Sequence, residues 1–224
     1  MDRQAKRFLV IGAGGHGRVV GDLVRALGHS VIGFVDDDPQ KIDGEVDSTG
    51  SRVTMALQAL LHHVAAIGEL PADADHVALG IGDNHRRLEL FTQLRPHCTR
   101  ALIHPSAVVS PTARVGDGCV VFALGAISPE AQVGCAAIIN TGAIVEHDCT
   151  VDDGVHLSPG AVLCGAVSVG TCSWIGAASV VIQGRCVGRN AIVGAGAVVV
   201  HDVSDGTVVF GNPARVRSTT AAGR

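Results

Sequence analysis

A chain of 224 residues, 47% apolar with 29 glycines and a net charge of −4, has room for two modest domains and reads as globular and turn-rich. The small negative charge, the lack of any Lys/Arg run and an aromatic fraction of 3% exclude a nucleic-acid surface, which needs basic stripes and stacking rings. The apolar run Phe8 to Ile11 is too short for a signal-peptide core or a membrane span, and seven cysteines without a C-x-x-C pair read as reduced thiols used in packing, so a cytoplasmic protein without membrane insertion is expected.

Residues Arg7 to Gly12 read as a buried strand, Gly12-Ala13-Gly14-Gly15-His16-Gly17 as a turn, and the stretch to about Leu27 as an amphipathic helix. Val31 to Val35 is a second strand, ending in Asp36-Asp37-Asp38-Pro39. This is the opening of a βαβ unit. The glycines meet the G-x-G-x-x-G spacing, which lets a phosphate approach backbone N–H groups at a helix N-terminus. Acids at the end of the second strand suit hydrogen bonds from a ribose or uracil-like ring. By itself the motif is also compatible with a purely structural turn or with a nicotinamide site. The α/β part ends near residue 100, however, about half of a full dinucleotide fold.

Lys41 to Arg52 is polar and glycine-containing and reads as a mobile loop. Met55 to Ile67 has helical spacing, and its adjacent His62 and His63, which cannot share a helix face, read as surface residues rather than ligands. Asp75 to Gly82 is a third strand, after which Asp83 or Asn84 caps a helix to about Arg95. Gly82 thus sits at a strand's carboxyl end, where open α/β sheets bind ligands. Thr99 to Ile103 is a last strand that runs without a linker into a different pattern, and the expected domains are 1–102 and 103–217.

From Ile103 every sixth residue through Val199 is Val, Ile or Leu, and four places after most of these stands a small side chain, from Ala107 to Ala197. Val155, Val167, Arg185 and Val203 break the second rule. A six-residue period is neither helical nor simply alternating; it marks a parallel β-helix, with three hexads closing a triangular coil. Glycines at 116, 134, 170, 176, 188 and 194, one place after the aliphatic, suit tightly turning backbone. The period does not give the hand of the coil.

Polar residues stand out in such an array, and Asn140 to Cys149 concentrates them. His147 follows the core residue Val145 by two places, so it lies near a corner and points outward. With Asp148 beside it, it has the composition of a general base whose carboxylate neighbour fixes the tautomer. A merely solvated histidine has the same spacing. His156, nine residues on, is expected to face the same groove; a metal site from His147, Asp148 and His156 lacks a sequence-close ligand pair. After the array come Asp202 to Val209, then Gly211-Asn212-Pro213-Ala214-Arg215, and a polar tail from Ser218 to Arg224 that is expected to fray.

Taken together, Gly-Ala-Gly-Gly-His-Gly at 12–17, Gly-Ile-Gly-Asp-Asn at 80–84, Ile-His-Pro-Ser-Ala-Val-Val-Ser-Pro at 103–111, Asn-Thr-Gly-Ala-Ile-Val-Glu-His-Asp-Cys at 140–149 and Gly-Asn-Pro-Ala-Arg at 211–215 resemble the bacterial sugar O/N-acetyltransferases. The resemblance covers nearly the whole chain. It implies a Rossmann-like α/β domain that binds a nucleotide-sugar, followed by a left-handed parallel β-helix that assembles as a homotrimer with acetyl-CoA between subunits and no metal. By the same resemblance His147 is the general base and Asp148 its orienting acid, where relatives often carry the longer Glu. His156 and the backbone at Gly165, Ala177 and Ala195 would line the path of acetyl-CoA, with the Gly165 N–H facing the thioester carbonyl. Gly14, Gly15, His16, Asp36, Asp37 and Gly82 would hold the nucleotide-sugar. The acceptor implied is the amine of a UDP- or GDP-linked 4-amino-4,6-dideoxy sugar. A sugar hydroxyl, as in sialic acid O-acetylation, is the alternative, and a non-catalytic scaffold or an acyl-cysteine route through Cys149 or Cys164 lies further off.

Overall fold

The computed structural model describes residues 4–219. The chain divides into two units, one up to Leu102 and one from Ile103 onward.

The first unit holds β1 (Arg7–Ile11), α1 (Gly15–Ala26), β2 (Ser30–Val35), β3 (Val53–Met55), α2 (Leu57–Ile67), β4 (His76–Leu79) and α3 (Asn84–Leu94). All four strands are parallel, in the order β3-β2-β1-β4. Phe8, Leu9, Val10 and Ile11 are all buried, which is why β1 reads as a continuous apolar run rather than an alternation. Helix α1 buries Val20, Leu23 and Val24 at helical spacing, and Asp83 caps α3 by accepting from the Arg86 N–H at 2.7 Å.

Two sequence expectations fail here. The stretch 41–52 is not a loose loop, and it leads into β3, which the sequence does not announce. Ile42 and Glu45 form β-bridges to Val53 and Arg52. Arg25 of α1 reaches across to Asp47 at 2.9 Å and to Ser51 at 2.6 Å. The segment has no hydrophobic period to betray this order, because it is held by polar contacts from a distant helix.

In the second unit, two-residue strands pair with residues 18 places away, as Ile138 with His156, Ile144 with Val162 and Thr150 with Ser168. Three hexads therefore make one coil, and the unit is a left-handed parallel β-helix with sheets of eight, six and five strands as its three faces. The hexad aliphatics fill the core: Val145, Leu157, Leu163, Ile175, Val181 and Val193 are fully buried. So are Ala137, Ala143, Cys149 and Ala161 at the small position. Val155 and Val167 are equally buried there, so that position accepts one larger side chain without exposing it.

The six glycines that follow an aliphatic do not serve tight turning. The left-handed backbone falls two places later, at Leu124, Glu130, Asp148, Asn190 and others with φ near +60°. Gly116 and Gly176 are required by the neighbouring coil instead: a Cβ there would stand 2.7 Å from Gly134 and 2.6 Å from Ala195 backbone.

At the carboxyl end Thr207–Phe210 extends the eight-stranded sheet, and Arg215–Thr219 pairs with it antiparallel. Ser218 and Thr219, expected to fray, thus belong to a strand, while 220–224 lie outside the described residues. Arg185 lies 3.7 Å from Asp202. Among the described residues no helix is long and apolar enough to cross a membrane.

Candidate active site

The edge between the six-stranded and five-stranded faces carries His147. Asp148 follows it at φ 60°, and this left-handed turn brings the short carboxylate back onto the ring, with Nδ1 and Oδ2 2.8 Å apart. Asp148 therefore reaches the ring despite being shorter than the Glu that relatives often carry. Both side chains are about 60% exposed. The hydrogen bond that His147 donates to Asp148, with the carboxylate's charge, raises the His147 pKa above 6.5. With Nδ1–H given to Asp148, the Nε2 lone pair is left for a substrate proton.

One coil further along the same edge is Gly165. A Cβ there would stand 2.6 Å from His147 Cε1 and 2.7 Å from Nε2, so the imidazole occupies the space that a side chain would take. The Gly165 carbonyl accepts from Gly184 at 3.0 Å, while among the described residues no backbone acceptor takes its N–H.

His156 does not share this edge. It lies in a strand of the eight-stranded face, opposite the His147 edge of the prism, because nine residues are half a coil and turn the chain to the far side. The expectation of one groove within one chain is therefore wrong. His156 is buried, and its ring stacks on Trp174 with centroids 5.5 Å apart and planes at 11°. Its Nε2 lies 3.1 Å from Asn140 Nδ2. Since Asn140 Oδ1 accepts from the Thr141 N–H at 2.8 Å, the amide turns its NH₂ to the ring, and His156 Nε2 is the acceptor. Trp174 is fixed in turn by donating to Ser158 Oγ at 2.6 Å. Sequence reading missed Ser158 and Trp174 as supports; the 18-residue spacing of 156 and 174 was the available signal.

Ala177 and Ala195 are exposed and stack one coil apart on a third location, the edge between the eight- and six-stranded faces. Cys149 is buried, its Sγ donates to the Cys164 carbonyl at 3.1 Å, and burial pushes its thiol pKa up. At Cys149 that disfavours the thiolate an acyl-cysteine route needs. All seven cysteines are free. Among the described residues no group of three or more His, Cys, Asp or Glu is placed to hold a metal.

In the first unit, the loops after β1 and β4 abut: a Cβ on Gly12 would lie 2.8 Å from the Gly80 carbonyl. This brings together Gly14 and Gly15, exposed at the start of α1 with open space above them, and the exposed Gly82. Asp36 joins the cluster as a clamp. Its carboxylate accepts from the Ala13 N–H at 2.8 Å, the Asp38 N–H at 3.0 Å and Lys41 Nζ at 3.1 Å, while Asp37 accepts from the Gln58 N–H at 3.0 Å. His16 is pushed down to about 4, by burial first and then by the charge of Arg87, so its imidazole is neutral near pH 7.

An α/β nucleotide-type unit followed by a β-helix with an exposed His–Asp pair defines a β-helix acyltransferase. Residues 7–94 match the PglD N-terminal domain family. Over 94% of its length the chain is similar, at 38% identity and TM-score 0.84, to 96% of a histidine-to-asparagine mutant of perosamine N-acetyltransferase from Caulobacter crescentus, solved with CoA and GDP-perosamine. It is likewise similar, at 37% identity and TM-score 0.85 over 95% of its length, to the whole acetyltransferase domain of PglB from Neisseria gonorrhoeae, which was also solved with acetyl coenzyme A. UDP-N-acetylbacillosamine N-acetyltransferase of Bacillus subtilis is 36% identical over 123 residues, a match spanning about half the length of that curated relative. The chain belongs to the acetyl-CoA-dependent N-acetyltransferases of nucleotide-linked amino sugars.

Proposed function

We propose that this protein moves the acetyl group of acetyl-CoA to the amine of a UDP- or GDP-linked 4-amino-4,6-dideoxy sugar, with His147 as general base. The observation that carries the reading is the exposed His147 ring, bonded through Nδ1 to Asp148 and lying over Gly165. The neutral amine, its ammonium proton already lost to solvent, attacks the thioester carbonyl carbon while His147 Nε2 takes one proton from the nitrogen. The C=O electrons move onto oxygen as the C–N bond forms, and the Gly165 N–H stabilises this oxyanion. The oxyanion re-forms C=O as the C–S bond breaks, and the proton on His147 passes to the departing thiolate, so no acyl-enzyme is formed. That a histidine of the perosamine enzyme was the position replaced in two structures solved with CoA and GDP-perosamine supports a histidine in this role.

In this reading residues 1–102 bind the nucleotide-sugar through Gly14, Gly15, His16, Asp36, Asp37 and Gly82, and residues 103–217 carry out the transfer. His156, Ala177 and Ala195 line the acetyl-CoA path of a homotrimer. Two features support association with further copies, as a trimer requires. His147 and His156 lie on opposite sides of one prism, so a neighbour is needed to bring such groups together. The outer side of the six-stranded face is also aliphatic, with Val108, Ile144, Val162, Val180 and Val198, whereas the five-stranded face shows Arg114, Gln132, Thr150 and Ser168. Free thiols and the use of acetyl-CoA fit a cytoplasmic setting.

The test is thiol release from acetyl-CoA with a panel of UDP- and GDP-linked 4-amino-4,6-dideoxy sugars. Turnover on one nucleotide series, lost by about a thousandfold in a folded His147→Ala variant, is the expected result. Turnover that survives His147→Ala would remove the histidine from its role, and no turnover with any amino sugar would overturn the acceptor class.

A further inference from the structure

Arg87, on the first turn of α3, is 1% exposed and stands among the largest buried side chains of the protein. Burying a guanidinium costs several kcal/mol unless its N–H groups are bonded, and apolar replacements of buried charges are often neutral or stabilising. A buried arginine is therefore best explained by what it holds. Its Nη1 donates to the carbonyls of Ile81 and Gly82, each at 3.1 Å, and its Nη2 donates to Asn84 Oδ1 at 2.8 Å.

Those acceptors form the turn that leaves β4 toward α3. Gly82 has no side chain to pack, and a Cβ there would meet nothing within 4 Å. The guanidinium beneath supplies the rigidity that side chains supply elsewhere. We infer that Arg87 is a positioning residue of the nucleotide-sugar site, acting through the Ile81 and Gly82 carbonyls and through Asn84; this rests on the function proposed above.

A second consequence falls on the neighbouring loop. The charge of Arg87, added to burial, keeps His16 neutral. His16 is then a hydrogen-bonding ring, while the buried Arg87 keeps a fixed positive charge in a medium of low dielectric, where it favours the diphosphate of a nucleotide-sugar. Arg87 thus ties together the two loops that the proposal assigns to one ligand, one through hydrogen bonds and the other through charge.

The experiment is steady-state kinetics of the full chain with Arg87→Met and Arg87→Lys, varying the accepted amino sugar and acetyl-CoA separately, alongside NMR titration of His16. Arg87→Met is expected to raise the KM for the nucleotide-sugar about tenfold or more, the loss expected from charged hydrogen bonds, with kcat and the acetyl-CoA KM within about threefold. The His16 titration should move upward. Arg87→Lys, which keeps the charge without the planar fork, should leave His16 low and raise the sugar KM by less. An unchanged sugar KM in either folded variant, or equal rises in both KM values, would overturn the inference. Should the unmodified protein acetylate no amino sugar, the function proposed above fails by itself, and calorimetric binding of UDP and GDP decides the inference. Weaker binding by Arg87→Lys supports it; equal binding, or no binding by the unmodified protein, overturns it.

Discussion

The two units bury their backbone by opposite strategies. The β-helix repeats one rule: aliphatic inward, small residue at the corner, pairing 18 places on. A polar side chain such as His147 is therefore an exception visible against a uniform background. The α/β unit has no such background. Each of its strands has a different partner, and its loops at the carboxyl ends of β1 and β4 are held by individual polar contacts such as Asp36 to Ala13 and Arg87 to Gly82. Function in a repeat is written as departures from the repeat; in an irregular fold it is written in long-range contacts.

This contrast assigns kinetic signatures. Substitutions on the His147 edge should change turnover, and substitutions in the loops of the α/β unit should change the KM for the nucleotide-sugar. His147→Ala is the largest expected effect, with about a thousandfold loss of kcat and little change in thermal unfolding, because the side chain is mostly exposed. A matching loss in the sugar KM alone would break the contrast. Next comes Gly165→Ala. Its Cβ would displace the His147 ring without demanding unusual backbone, so kcat should fall about ten- to hundredfold while the sugar KM, read in the same assay, stays near that of the unmodified enzyme.

Asp148→Asn sharpens the assignment through pH. Asp148 raises the His147 pKa, and the base must be unprotonated to act, so the acid limb of the kcat/KM profile should lie above 6.5 in the unmodified enzyme. Removing the carboxylate charge should move that limb to lower pH and lower kcat by up to about tenfold. Asn tolerates the left-handed backbone at this position, so stability should hold. The smallest effect belongs to the other unit. Asp36→Asn loses charge-assisted bonds to Ala13, Asp38 and Lys41, and is expected to raise the sugar KM several-fold and to lower unfolding stability by about 1 kcal/mol, with kcat unchanged.

The sequence by itself determined the coil and its contents. Because each hexad packs on the third one along in a fixed register, a local period is enough to place Val145, Leu163 and Val181 in one column and to put His147 near an edge. The Gly-rich turn and the Asp83 cap were legible for the same reason, since their geometry is set within a few residues. Tertiary structure alone decided the rest. The six glycines that follow an aliphatic answer to the coil above rather than to their own turn. His156 lies across the prism from His147, against Trp174, because half a coil reverses direction. Asp36 clamps the Ala13 turn, Arg25 pins the 41–52 segment and Arg87 is buried beneath Gly82; each joins residues brought together by packing, whose energies depend on neighbours that no local pattern records.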